Sequence, residues 1–285
     1  MKKLIPLLLL ILAAAAGYFG YSYYFSPEKV LSRAIQRFSN LNTVHGEMNI
    51  DLVVRLNQPQ ALGKSVQQTL SGFSDINIKD KTQKTHMTLT TQGKAVDMDF
   101  VLLKDGEMYM KSPVLSQSWL SLNSSALKEK GLLTVDPQAN DYVTQSLGFM
   151  KSVEKGSIVK LEDEIVDGVK TTKFRVDIST PRYMEFMKAL GINQSVVDGI
   201  QDATVKSTIW VSRSTGNIVA METEVKNVKI YQPGTSNLLG SSDYTIKLTY
   251  SRYDQTIDVS KPAGEAIPYE EFLKQAGDAK SPSNP

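Results

Sequence analysis

Read for polarity alone, the chain opens on an uncharged run and then changes period several times. Residues 4–25 carry no charge. From Ser26 onward, Val30, Leu31, Ala34, Ile35, Phe38 and Leu41 recur at three- and four-residue spacing, which predicts a helix with one apolar face. Ser26 is placed to cap it, Pro27 suits its first position, and Glu28 complements the positive helix end. At Val44 the period drops to two. Val44, Met48, Ile50, Leu52, Val54 and Leu56 alternate with His45, Glu47, Asn49, Asp51 and Arg55, the pattern of a long half-buried strand. The same alternation recurs over 69–79, 85–91, 96–102, 108–110 and 119–122. Between these stretches lie a turn region over 57–64, then Gln92-Gly93-Lys94, Lys104-Asp105-Gly106 and Ser112-Pro113.

Five or six consecutive strands with tight turns predict an antiparallel meander. A helical interlude follows, with a short helix over 123–130 and a stronger one over 136–153 that carries Tyr142, Val143, Leu147 and Met150 on one face. Strands return over 158–165 and 169–178, joined by Asp167-Gly168. A helix then opens at Thr180-Pro181 with Tyr183, Met184, Phe186, Met187 and Leu190 on its apolar side. A further short helix is expected over 194–200, and strands over 204–212, 217–231 and 243–254, with a loop over 232–241. The chain closes on a weak helix from Tyr269 and a Ser/Pro/Asn tail. The fold class is therefore α+β, divided into an N-terminal segment 1–25, a body 26–268 and a short helix with tail over 269–285. No composition break splits the body.

A bilayer core of about 30 Å needs roughly 20 apolar residues as helix, so the run 4–25 is long enough to span it. Its Tyr-rich end suits a membrane interface. Lys2 and Lys3 before it place the N-terminus in the cytoplasm and the body outside, in the cell envelope. The small residues Ala13–Ala16 leave an alternative, a signal cleaved near Ala16 that would release a secreted or periplasmic body. Two of the 32 basic residues precede the span, so beyond it the 30 acidic residues meet an equal number of basic ones. A neutral body argues against a general electrostatic grip on nucleic acid. The absence of cysteine excludes disulfides, thiolate metal sites, a cysteine nucleophile and a lipidated-cysteine anchor, leaving the apolar run as the means of attachment.

Local catalytic signatures are absent. His45 and His86, the two histidines, fall at strand positions facing away from the expected core, and neither has a metal-spaced partner. Glu162-Asp163-Glu164 reads as a solvated strand edge before it reads as a cation site. No phosphate-binding loop, nucleophile elbow, metal site or cofactor motif occurs. The feature in excess of an ordinary core is methionine and aromatic placement. Met48, Met87, Met98, Phe100, Met108 and Met110 fall on the inward phase of the meander. Tyr142, Met150, Tyr183, Met184, Phe186 and Met187 lie on apolar helix faces. Methionine adapts its shape to irregular apolar partners, so these residues either fill a core or line a cavity for an acyl chain. Tyr142, Tyr183, Phe186 and Trp210 are candidates for its mouth.

The order of elements resembles the LolA/LolB-like superfamily, including lipoproteins of the LppX and LprG kind. The likeness is carried by Val30 to Leu52, by Met108 to Leu122 with Tyr109, Pro113 and Trp119, and by Ile209 to Val225 with Ile209-Trp210-Val211, Thr215-Gly216 and Met221. Tyr250-Ser251-Arg252-Tyr253 followed by Ile257 and Pro262 also fits. The resemblance implies a curled antiparallel sheet, a half-open β-barrel, with helices over its concave face and a hydrophobic cavity for lipid. Many relatives are anchored by a lipidated cysteine, which this chain lacks. The expectation is a non-catalytic, membrane-tethered envelope protein that takes a lipid or acyl-chain ligand. Two alternatives stay open: an interaction module with a filled core that meets another envelope protein, and a hydrolase whose carboxylates meet only on folding.

Overall fold

The computed structural model describes residues 26–57, 65–123, 157–189, 194–232, 235 and 237–278. The run 4–25 and the interlude helices expected over 123–153, with Tyr142 and Met150, lie outside the described residues. No described helix is long and apolar enough to cross a membrane.

Helix α1 (Pro27–Ser39) begins as its sequence predicts. Ser26 Oγ accepts from Lys29 N–H at 3.3 Å, and Leu31, Ala34, Ile35 and Phe38 are buried on one face. Six strands follow in a meander: β1 (Thr43–Leu56), β2 (Val66–Asn77), β3 (Thr82–Thr91), β4 (Lys94–Leu102), β5 (Glu107–Ser112) and β6 (Ser116–Asn123). After the interlude come β7 (Ile158–Lys160), β8 (Glu164–Val166) and β9 (Val169–Asp177), then helices α2 (Thr180–Ala189) and α3 (Gln194–Gly199). Strands β10 (Thr204–Ser212), β11 (Ile218–Tyr231) and β12 (Leu238–Ser251) lead to β13 (Ile267–Pro268) and helix α4 (Tyr269–Asp278).

The described strands make one curled, unclosed sheet ordered β13-β6-β5-β4-β3-β2-β1-β12-β11-β10-β9-β7, with β8 also on β9. All pairings are antiparallel except that of β13 with β6. The meander is therefore joined to the returning strands through β1 and β12, which run side by side from His45↔Ser251 to Leu56↔Gly240. Gln92 and Gly93 at one hairpin, and Asp167 and Gly168 at another, all take positive φ, the two-residue turn that matches strand twist.

Several strand boundaries differ from expectation, and two of the differences have a visible cause. The strand expected over 158–165 is interrupted: Leu161 N–H donates to the Lys173 carbonyl at 2.8 Å and Asp163 is held by Arg213 at 2.9 Å, so three residues step out between β7 and β8. β12 starts at Leu238, inside the expected loop. Its Gly/Ser-rich start has weak strand propensity, but Gly240 lies between Leu56 and Ile230, and a Cβ there would come within 2.1 Å of the Arg55 carbonyl. Tertiary pairing overrides the local preference.

Alternation divides the sheet into two unlike faces. On the outer face Glu47, Asn49 and Asp51 of β1 stand beside Thr249, Lys247 and Thr245 of β12, which in turn face Ala220, Glu222 and Glu224 of β11. Both histidines are on this face, as expected. His45 Nδ1 lies 2.6 Å from Asp75 Oδ1, which also accepts from Arg252 at 2.8 Å, and His86 Nδ1 lies 2.8 Å from Asp99. The inner face is apolar and receives the helices. α1 packs its four buried residues on Val44, Phe174, Val176, Ile209, Val211 and Ile218. Tyr183 of α2 and Ile200 after α3 pack on Ala203, Val205, Val225 and Val228.

Candidate functional site

The described helices do not cover the inner face evenly. At β9–β11 it is sealed: Phe174 is 1% exposed, and Ile209 and Val225 are fully buried. Across β1–β5 the same face continues largely apolar. Met48 stands between Leu248 and Gly72, Gly72 faces Met87, and Met87 faces Met98. One step toward the hairpin ends, Ile50 pairs with Leu70, Leu70 with Leu89 and Leu89 with Val96. One step the other way, Phe100 pairs with Met110, and beyond it Leu102 with Met108. These side chains are half-buried, and the α1 cluster reaches only to Ile76 and Ile78 on this side. Among the described residues of β1–β5, the inner phase carries one charged side chain, Lys94, at the strand margin.

Gly72 shapes this wall. A Cβ there would meet the His86 carbonyl oxygen at 2.0 Å, so β2 and β3 approach at a point where only glycine fits. With no side chain at that place, the wall is lowest between the flexible thioethers of Met48 and Met87. Gly46 likewise leaves room for the Tyr250 ring, 3.6 Å from where its Cβ would be. Phe38 of α1 stands edge-on against that ring, with centroids 4.7 Å apart. The α1-covered half thus ends at Tyr250 and Gly46.

The structure brings together Met48, Met87, Met98, Phe100, Met108 and Met110 on this open half. Tyr183, Met184, Phe186 and Met187 are on α2 and pack with Val205, Val225, Val228 and Tyr244. There Tyr183 and Tyr244 place their hydroxyls 3.2 Å apart, and burial raises the pKa of both. Ile50, Leu70, Leu89 and Val96 belong to the wall as fully as the methionines. Their alternating phase was the signal; weighting methionine and aromatics passed over them.

Trp210 corrects the expected mouth. It pairs with Lys173 and Ala220 on the outer face, where its Nε1 donates to Glu164 Oε2 at 3.0 Å and Lys173 Nζ sits 5.0 Å from its ring. The sequence held the reason: Val205, Ile209 and Val211 occupy the inward phase, which leaves Trp210 in phase with Lys206 and Thr208. Asp163 and Glu164 of the acidic run are drawn into ion pairs, and no group of metal-ligating side chains occurs among the described residues.

The Trp210 indole, and then Lys173, hold the Glu164 carboxylate below the ordinary glutamate range. The folded state therefore binds fewer protons than the unfolded one just below pH ~4.5, so this contribution is complete at neutral pH and fades as acid protonates first the unfolded and then the folded carboxylate. The exposed setting keeps it small. Titrating Trp210 fluorescence in a Trp119→Phe background should show a step below pH ~4.5 that Glu164→Gln removes; a step that survives Glu164→Gln would contradict the assignment.

No family model and no curated protein matches this chain. Several solved structures resemble it at low identity. LprF from Mycobacterium bovis is 14% identical, with 84% of this chain and 97% of that chain covered and a TM-score of 0.48. The Mycobacterium tuberculosis lipoprotein LppX is 16% identical over 82% of this chain and 98% of that chain, with a TM-score of 0.45. A putative outer membrane lipoprotein-sorting protein domain from Vibrio parahaemolyticus is 9% identical over 86% and 96%, with a TM-score of 0.25.

Proposed function

We propose that the chain is a non-catalytic, membrane-tethered extracytoplasmic protein that binds a lipid or another hydrophobic ligand on the concave side of its half-barrel. The observation that carries this reading is the half-buried apolar stretch of the inner face that none of the described helices covers. A soluble domain rarely leaves so continuous an apolar surface half-exposed unless something else covers it. The wall from Met48 to Met98 offers acyl carbons a charge-free, deformable surface. Ten methylenes buried at about 0.8 kcal/mol each correspond to about 8 kcal/mol, a dissociation constant of roughly 1 μM.

Residues 4–25 supply the tether in this reading, and Lys2 and Lys3 orient it so that the body works beside the outer surface of its own bilayer. Both histidines and the acids Asp75, Asp99, Asp163 and Glu164 are held in ion pairs and hydrogen bonds, which favours binding over chemistry. The test is direct. The purified Ser26–Pro285 body should release lipid on solvent extraction, and once stripped it should take up a fluorescent acyl probe at micromolar concentration. A body that carries no lipid and takes up no probe overturns the reading in favour of a filled module that meets another envelope protein.

A further inference from the structure

Polar side chains on an apolar wall are costly unless matched, so the exceptions on the inner face point to what the wall meets. Among the described residues, three groups on that face are joined by hydrogen bonds between side chains. Ser207 and Thr223 pair at 2.8 Å, and Tyr183 and Tyr244 at 3.2 Å, both beside the helix-sealed half. The third lies on the open half. Ser74 pairs with Gly46 on one side and Thr85 on the other, and Thr85 with Phe100, so Ser74 and Thr85 occupy the row that runs from the α1-covered Tyr250 out to Met110. Gln83, one step along β3, faces Ile76 and Leu102.

The hydrogen-bond arrangement of this cluster is specific. Gln83 Nε2 donates to Ser74 Oγ at 2.9 Å and to Thr85 Oγ1 at 2.8 Å. The two hydroxyls lie 2.8 Å apart, and Ser74 Oγ donates to the Lys84 carbonyl at 3.4 Å. With Ser74 donating to that carbonyl, Thr85 donates to Ser74. Both amide hydrogens and both hydroxyl hydrogens are then committed. What remains is an acceptor: among the described residues Gln83 Oε1 receives no hydrogen bond. The cluster therefore has a place for a donor and none for a second acceptor, such as an ester carbonyl alone or a carboxylate. A donor that is an ammonium would bring a charge to a stretch of inner face with no anion beside it. A hydroxyl brings none.

We infer that Gln83, set by Ser74 and Thr85, is the head-group subsite of the ligand face and that it takes the hydroxyl of an uncharged, hydroxyl-bearing lipid. The ligand O–H donates to Gln83 Oε1, and the attached chain runs from that point across Gly72 between Met48 and Met87. This rests on the proposed function, since it assigns the polar end of a ligand whose chain that reading places on the wall. It adds a selection: lipids whose head is a phosphate or carboxylate are disfavoured there.

The experiment uses the full chain in proteoliposomes, with a diazirine-tagged 1-monoacylglycerol and the same molecule with both glycerol hydroxyls O-methylated. Labelling is mapped by peptide mass to residues 44–102, which separates the face from the membrane segment. One added hydrogen bond predicts half-maximal labelling by the hydroxylated probe at about fivefold lower concentration. Gln83→Leu should abolish that preference while leaving labelling by the methylated probe unchanged, which also reports an intact wall. Equal labelling of the wild type by the two probes overturns the subsite and leaves the proposed function standing. Absence of labelling by either probe at 44–102 in the wild type overturns both. A preference that survives Gln83→Leu places the hydroxyl elsewhere and overturns the subsite. Should Gln83→Leu fail to fold, the double variant Ser74→Ala/Thr85→Val, which frees the amide to turn, should lose most of the preference; a full preference there counts against it.

Discussion

Phe174→Ala in the Ser26–Pro285 body will lower the unfolding free energy by about 3–5 kcal/mol, whereas Phe100→Ala will lower it by about 1 kcal/mol. The two side chains are chemically identical and share one face of one sheet. Phe174 is 1% exposed and sits beneath Leu31, Ala34, Ile35 and Phe38 of α1, so truncation leaves a cavity that a rigid helix and sheet cannot close. Phe100 lies between Thr85 and Met110 on the open half, and truncation there removes contacts with its strand neighbours without leaving an enclosed void. Urea unfolding of both variants, read by circular dichroism, measures the contrast. Equal losses would mean that the face is packed throughout, and the proposal of an open ligand wall would fall.

The second large effect is on binding. Met87→Asp should reduce uptake of the fluorescent acyl probe by roughly 100-fold or more while leaving the body folded. Met87 is half-buried, so an aspartate there keeps part of its hydration in the empty protein and loses the rest when an acyl chain arrives. Thr90→Asp is the matched control. Thr90 pairs with Thr69 and Ala95 on the outer face, so the same charge on the same strand should leave affinity unchanged. If Met87→Asp instead unfolds the body, Met87 is a core residue and the filled-module reading gains. If both variants bind the probe as the parent does, the ligand lies elsewhere.

These contrasts depend on the face a residue occupies, and that much the sequence carried. A period of two over Val44–Leu56 sends Met48 to one side and Glu47 and Asn49 to the other. The same rule, applied strand by strand, groups Met87 and Met98 with Met48 and both histidines with the acids that hold them. It also contained the answer for Trp210, since that residue is in phase with Lys206 and Thr208. A place at the mouth of the cavity, expected for Trp210 with Tyr142, Tyr183 and Phe186, does not agree with that phase. Helix α1 was equally legible, because a cap, a proline at the first position and a four-residue apolar rhythm are local properties.

Other features had no local trace. Val101 and Tyr109 fall in the outer phase and are nevertheless 3% exposed, with Lys261 5.3 Å from the Tyr109 ring; a residue more than 150 positions later is part of that setting. Burial there is a product of chain return, which no window of neighbouring residues encodes. The start of β12 at Leu238 is similar, since its Gly/Ser-rich sequence becomes strand only because β1 and β11 offer it partners.

By itself the sequence determined the alternation of faces, the apolar stripe of α1, the glycine turns and the lack of charge, Lys94 at the margin apart, on the inward phase of β1–β5. Those follow from side-chain chemistry at fixed backbone periods, so they can be read before folding. Only the tertiary structure decided that β1 would lie against β12, and that α1, α2 and α3 would seal the face over β9–β11 and stop at Tyr250 and Gly46. Only it could bring Gln83, Ser74 and Thr85 together with the Gln83 amide oxygen left to accept. Pairing partners, and the place where a cover ends, depend on contacts between distant residues, and a periodic pattern says which side a residue faces without saying what stands opposite.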